Sequence, residues 1–176
     1  LIDSLRELSY QRNAITPTRT RIDQEIRRAI EAIHAKPEFR TLKIVLVAPD
    51  TLEGMFDARK LERVFFNLIL NGCEASQRVD ATITVTARNA GNNFEIRFKD
   101  DGPGIPECVR GTLFDPFVSY GKPNGTGLGL AIVSKIVQDH SGTVSIEETS
   151  EHGTTVLIQL PLPQQSVTPD MKSTFT

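Results

Sequence analysis

Apolar positions in this chain recur with two spacings, near 3.6 residues and at two, and their order outlines the elements. At helical spacing, Leu1, Leu5 and Leu8 mark a first helix over residues 1–13. Thr16-Pro17-Thr18 interrupts. Ile22, Ile26, Ile30 and Ile33 then share one face of a second helix that runs to about Lys36, where Pro37 stops it. A third helix is predicted from about Ala58 to Gln77, capped by Asp57 and carrying Leu61, Val64, Phe65, Leu68 and Ile69. A fourth spans about Gly127 to His140 and ends at Ser141-Gly142, with Gly142 suited to the C-cap.

Strands are read at residues 42–47, 81–88, 94–99, 143–148 and 154–160. Ala81, Ile83, Val85 and Ala87 alternate with Thr82, Thr84, Thr86 and Arg88. Phe94, Ile96 and Phe98 alternate with Glu95, Arg97 and Lys99, and Ala90-Gly91-Asn92-Asn93 is the turn between the two. A period of two implies a sheet with one buried and one wetter face. Helices and strands do not alternate regularly, which disfavours a doubly wound parallel sheet. The pattern predicts an α+β fold, a two-layer sandwich with helices on one sheet face. Residues 100–126 are rich in Gly and Pro and read as a long loop, a feature that is uncommon unless functional. The tail after Pro161 has little to bury and is expected to be disordered.

Composition adds exclusions. The 176 residues suit one domain, or one domain with a short appendage. A net charge of -2 argues against a dedicated nucleic-acid binder but leaves room for a local phosphate pocket. Cys73 and Cys108 are too far apart for a CxxC metal pair, three histidines add no ligand cluster, and both cysteines read as reduced thiols of a cytoplasmic protein. No run approaches the roughly 18 apolar residues of a membrane helix, and no signal peptide is visible. The chain opens on Leu1-Ile2-Asp3, so it is expected to be a piece of a longer protein whose membrane attachment, if any, lies elsewhere.

Three segments carry candidate chemistry. Asn67 and Asn71 lie four apart on one face of the third helix, with Glu74 three further on. Asn is unfavourable inside helices, because its side chain competes for backbone hydrogen bonds. Its carbonyl is a hard oxygen donor suited to Mg²⁺, although two such residues could equally tie the helix to a loop. Asp100-Asp101-Gly102-Pro103-Gly104-Ile105-Pro106 directly follows a strand. Its glycines allow a backbone to approach a flat ligand, and a carboxylate there could accept from an exocyclic amine. A plain acidic surface turn is the alternative. Gly121-Lys122-Pro123-Asn124-Gly125-Thr126-Gly127-Leu128-Gly129-Leu130 runs into a helix whose unpaired N–H groups suit phosphate; a merely flexible helix start remains open. Neither the P-loop pattern nor the Rossmann G-x-G-x-x-G is present.

Taken in order, these segments resemble the catalytic and ATP-binding domain of histidine kinases, in the superfamily that includes gyrase, Hsp90 and MutL. The resemblance covers residues 18–162. Asn67 to Ala75 is similar to the family's N box and Asp100 to Gly104 to its D-x-G-x-G box. Leu113-Phe114-Asp115-Pro116-Phe117 resembles the F box, Gly125 to Leu130 (GTGLGL) the second glycine box, and Gly153-Thr154-Thr155-Val156 the G-T-x-F strand. Gly72 stands where the family usually has Ala, which would loosen that helix, and Gly121 is one extra residue before Lys122.

The resemblance implies a Bergerat-type fold, a mixed sheet packed on helices, with ATP and Mg²⁺ as cofactors. By it, Asn71 would hold the metal with Asn67 assisting. Asp100 would accept the adenine amine with support from Thr154, and Gly102, Gly104 and Ile105 would line the base. Lys122 and the loop Gly125, Thr126, Gly127, Leu128 and Gly129 would fold over the phosphates. Residues 1–17 would be the end of a dimerisation hairpin and its linker, 18–162 the catalytic domain and 163–176 a tail.

None of the three histidines suits the phosphoacceptor. His34 is a helix-end residue, His140 follows the fourth helix in a structural role, and His152 sits in a turn. The acceptor is therefore expected upstream of Leu1, in the family dimer, with a response-regulator receiver domain as the next partner. The other readings are a nucleotide-binding regulatory module without kinase activity and an ATPase switch. The switch needs a Glu general base where this chain has Asn67.

Overall fold

A computed structural model describes residues 15–49, 52–76, 80–119 and 125–162. Five strands form a mixed sheet: β2 (Lys43–Val47), β4 (Thr82–Asn89), β5 (Asn93–Lys99), β6 (Thr143–Ser150) and β7 (Gly153–Pro161), in the order β2-β4-β5-β7-β6. Only the β2–β4 pair is parallel. A separate antiparallel pair joins β1 (Thr18–Arg21) to β3 (Glu53–Phe56). Helices α1 (Ile22–His34), α2 (Ala58–Ala75) and α4 (Gly129–Asp139) cover one sheet face, and a single turn, α3 (Glu107–Arg110), interrupts the long loop. This is the anticipated two-layer α+β sandwich.

The period-two strands put Ile83 and Val85 of β4, Phe94, Ile96 and Phe98 of β5 and Ile158 and Leu160 of β7 into one core. The helices answer with Ile22, Ile26 and Ile33 of α1, Leu61, Phe65 and Ile69 of α2, and Ile132 and Val133 of α4. Phe65 stacks on Phe98 with ring centroids 5.9 Å apart, which fixes α2 over the end of β5 where the candidate ligand residues begin.

Several boundaries differ from expectation. Thr18–Arg21 is a strand, where the sequence reads as an interruption at Thr18 passing directly into the second helix, and β3 carries no clear alternation to announce it. Both are held by pairing with each other, and the Thr20 hydroxyl donates to the Phe56 carbonyl at 2.9 Å. That long-range pairing is invisible to local periodicity. Helix α1 ends at His34 and α4 begins at Gly129, so Gly127 and Leu128 precede the helix. Ser141, not Gly142, adopts the left-handed conformation that ends α4, with φ 59. Gly142 is needed for closeness, since a Cβ there would lie 2.5 Å from the Gln159 carbonyl oxygen. The expected helix over 1–13 and the tail over 163–176 fall outside the described residues.

Asp57 caps α2 as its position suggested: Oδ1 accepts from the Lys60 N–H at 3.2 Å, and Oδ2 accepts from Thr16 N–H at 3.1 Å. His140 has the structural place anticipated. Its Nε2 accepts the Asp57 N–H at 3.0 Å and its Nδ1 donates to the Ile136 carbonyl at 2.8 Å, which is the neutral Nδ1–H tautomer. Asp57→Ala should lower stability by about 1–2 kcal/mol. Urea unfolding should show a lower midpoint with an unchanged slope.

Candidate functional site

A cavity of about 450 Å³ opens between α2, the turn after β5, the segment before α4 and the far end of the β6–β7 hairpin. Asn67, Asn71 and Glu74 project from α2 into one wall, because residues three and four apart share a helix face. Their oxygens form a polar stripe beside an apolar floor that includes Ile83, Phe98, Ile146 and Val156. The Asn67 side chain makes no hydrogen bond to another described residue, so it does not tie α2 to a described loop.

Asp100 stands at the end of β5, where the strand leaves the sheet. Its backbone N–H donates to the Thr154 carbonyl at 3.0 Å, the last bond before the chain turns away. Its carboxylate is half-buried in the cavity. Oδ1 accepts two backbone N–H groups, from Gly102 at 2.9 Å and from Thr154 at 3.2 Å. Oδ2 has no partner among the described residues and is the oxygen left for a ligand. Burial raises the Asp100 pKa above the ordinary carboxylate value. The Gly102 and Thr154 N–H groups work against that, and the Asp101 charge adds to it. Asp101 faces the other way and ties the end of α2 to β4, accepting from the Ser76 hydroxyl at 2.9 Å and the Thr82 N–H at 3.0 Å.

Glycines set the close approaches. Gly72 lets α2 lie against this corner, since a Cβ there would come 3.0 Å from Ile83 and 3.3 Å from the Asp100 Cβ. It brings the two motifs together instead of merely loosening the helix. Gly127 has φ 66, and a Cβ there would lie 2.4 Å from the Phe117 carbonyl carbon. The Phe117 N–H donates to the Gly127 carbonyl at 2.9 Å, so the F box and the second glycine box are one docked unit.

Of the residues singled out in the sequence, Asn67, Asn71, Asp100, Gly104, Ile105, Gly125, Thr126, Gly127, Gly129 and Thr154 all line this cavity. Gly102 does not. It is buried against Ala75 and serves Asp100 through its N–H. Leu128 does not either: it is 1% exposed and packs in the core, anchoring the glycine segment. Lys122 lies outside the described residues. Leu113, the first residue of the segment that resembles the F box, also lines the cavity, and so does Val118, which in the sequence looks like an ordinary hydrophobic position. Among the described residues no group of three or more His, Cys, Asp or Glu could hold a metal. Cys73 is buried with its thiol pushed up to about 12, chiefly by that burial, so it stays a protonated core residue.

Residues 56–164 match the family described as histidine kinase-, DNA gyrase B- and HSP90-like ATPase. Over 103 residues the chain is 40% identical to sensory histidine kinase/phosphatase NtrB of Rhodobacter capsulatus, covering 52% of this chain and 29% of NtrB. It is 33% identical over 138 residues to sensor histidine kinase ZraS of Escherichia coli, covering 78% of this chain and 29% of ZraS. The chain thus spans less than a third of these curated relatives. The catalytic domain of histidine kinase ThkA aligns with a TM-score of 0.74 at 26% identity, covering 83% of this chain and 95% of that one. No helix among the described residues is long and apolar enough to cross a membrane. The chain therefore belongs to the histidine kinase-, DNA gyrase B- and HSP90-like ATPase family, with the fold of a histidine kinase catalytic domain.

Proposed function

We propose that this chain binds MgATP and presents its γ-phosphate to a phosphoacceptor histidine on a helical hairpin of the parent dimer. The phosphoryl group then passes to a response-regulator receiver domain. One observation carries the reading: Asp100 lines the cavity with two N–H groups on its Oδ1, while its Oδ2 has no partner among the described residues. That arrangement suits the exocyclic amine of adenine and opposes the carbonyl of guanine. Gly104 and Ile105 line the base, and Thr154 fixes the carboxylate's tilt.

At the other end of the cavity, Asn71, assisted by Asn67, would supply oxygen ligands to Mg²⁺. Two neutral amides are a sparse set, which suits an ion that retains waters and takes its remaining oxygens from substrate phosphates. The ion would neutralise phosphate charge during transfer. Gly125, Thr126, Gly127 and Gly129, with Lys122, would enclose the phosphates, and the start of α4 offers unpaired N–H groups. In the transfer, a histidine nitrogen forms a bond to the γ-phosphorus as the bond to the ADP oxygen breaks. No protein group in this chain is covalently altered, so its contribution is positioning and charge. An ATPase switch is disfavoured because Asn67 cannot act as a general base.

The full-length protein incubated with γ-labelled ATP should acquire acid-labile, base-stable label on a histidine outside residues 1–176. ATP binding without such label would favour the regulatory-module reading and contradict the kinase assignment.

A further inference from the structure

Strand β6 carries a bulge. Ile146 pairs with Val156 and Glu148 with Thr155, so Glu147 is an extra residue on the β6 side. A bulge reverses the facing of everything beyond it. Without it, Ile146, Glu148 and Ser150 would share the inner face. With it, Thr149 follows Ile146 onto that face, and Glu147 and Glu148 are both exposed. On the solvent side Arg97 reaches across from β5 and bonds Glu147 at 2.8 Å, pinning the bulge.

The re-aimed Thr149 meets the turn that carries Asp100. Its Oγ1 accepts the Ile105 N–H at 2.8 Å and lies 3.1 Å from the Thr154 hydroxyl. Both partners line the cavity, whereas Thr149 itself does not. Gly104 completes the contact: with φ 77, a Cβ there would lie 2.0 Å from the Ser150 carbonyl oxygen. The turn from Asp100 to Ile105 is thus fastened at two ends, to Thr154 at Asp100 and to Thr149 at Ile105.

We infer that Thr149 is a positioning residue for base selection: by clamping Ile105 and Thr154 it sets the distance between the turn and the sheet, and so the fit of an adenine over a guanine. This rests on the nucleotide-binding reading above and names a residue by which that site discriminates. A loosened turn would let Asp100 recede from an ill-fitting base, which costs the correct base and spares the wrong one.

The test compares this chain with Thr149→Val, which keeps the shape and removes the hydroxyl, and Thr149→Ser, which retains it. Binding of non-hydrolysable ATP and GTP analogues with Mg²⁺ is measured for each. Thr149→Val should weaken the ATP analogue about three- to tenfold, the scale of one lost neutral hydrogen bond, and narrow the ATP-to-GTP ratio. Thr149→Ser should restore both to within about twofold of wild type, on the same scale. An unchanged ratio in Thr149→Val, even with weaker binding of both nucleotides, overturns the proposal. If the valine variant does not fold, Thr149→Ala carries the same expectations. Amide exchange without nucleotide separates this idea from the function it rests on. The Ile105 N–H should be protected in wild type and exchange faster in Thr149→Val. Equal exchange overturns the clamp; faster exchange in a chain whose wild type binds neither analogue leaves the clamp standing and sinks the nucleotide reading.

Discussion

Asp100→Asn should weaken binding of an ATP analogue by roughly 1–3 kcal/mol, about five- to a hundredfold, the scale of a lost charged hydrogen bond. The substitution is nearly ideal for isolating the ligand's bond. An Asn can keep its carbonyl oxygen in the place of Oδ1, where it still accepts from Gly102 and Thr154. Its amide nitrogen then replaces Oδ2, turning an acceptor into a donor at the one atom left for the ligand. Adenine's amine would face another donor, and guanine's carbonyl would find one. Wild type should prefer ATP strongly over GTP, and the variant should lose most of that preference. Isothermal titration with both analogues reads the two changes together.

The same substitution carries a signature in stability. Burial raises the Asp100 pKa, so its contribution to stability is fully present at low pH and is lost as pH rises through the folded-state value. At neutral pH the ionised carboxylate is therefore a cost to the unliganded fold, and Asn removes it. The unliganded variant should melt no lower than wild type while binding ATP worse. Lowering the pH toward the raised pKa should weaken ATP binding by wild type, since a protonated Oδ2 no longer accepts, and leave the variant's weaker binding flat.

A second large effect is expected at Gly153, which opens β7. Its φ of 132 is a region that L side chains rarely enter, and an added Cβ would lie 2.0 Å from the Asp100 carbonyl oxygen. The clash cannot be relieved cheaply, because the Asp100 carbonyl oxygen is a backbone atom and the Cβ is fixed to the backbone of β7, both in the sheet end that supports the site. Gly153→Ala combines backbone strain with overpacking and should cost roughly 2–6 kcal/mol. Gly129→Ala is the control. Nothing lies within 4 Å of a Cβ there, and the residue begins α4, so its melting temperature should move little or rise slightly. A Gly153→Ala chain that melts like wild type would mean that the β7 start does not pack against Asp100 as described.

The layers of this fold were legible because they follow from period. Ile22, Ile26 and Ile33 at helical spacing, and Phe94, Ile96 and Phe98 at a spacing of two, point into one core, and they do so in the structure. Asn67 and Asn71 stood out because Asn is costly in a helix among apolar neighbours. The Asp100 turn stood out because two glycines flank a proline at a strand end. What escaped depends on contacts distant in sequence. The β1–β3 pair is two short strands that stabilise each other across more than thirty residues. Ser141 takes the left-handed position because Gly142 is spent on a close approach to Gln159. Thr149 escaped because the strand read in the sequence stops at residue 148, and because one extra residue in β6 reverses the facing that follows it.

The most direct test of the account is a calorimetric titration of a non-hydrolysable ATP analogue, with Mg²⁺, into this chain and into Asn71→Ala. Saturable binding by wild type that is lost or sharply weakened in an Asn71→Ala variant that still folds is the predicted result. Undiminished, Mg²⁺-dependent binding in Asn71→Ala would contradict the placing of the metal on α2, and no binding by wild type would contradict the nucleotide site itself.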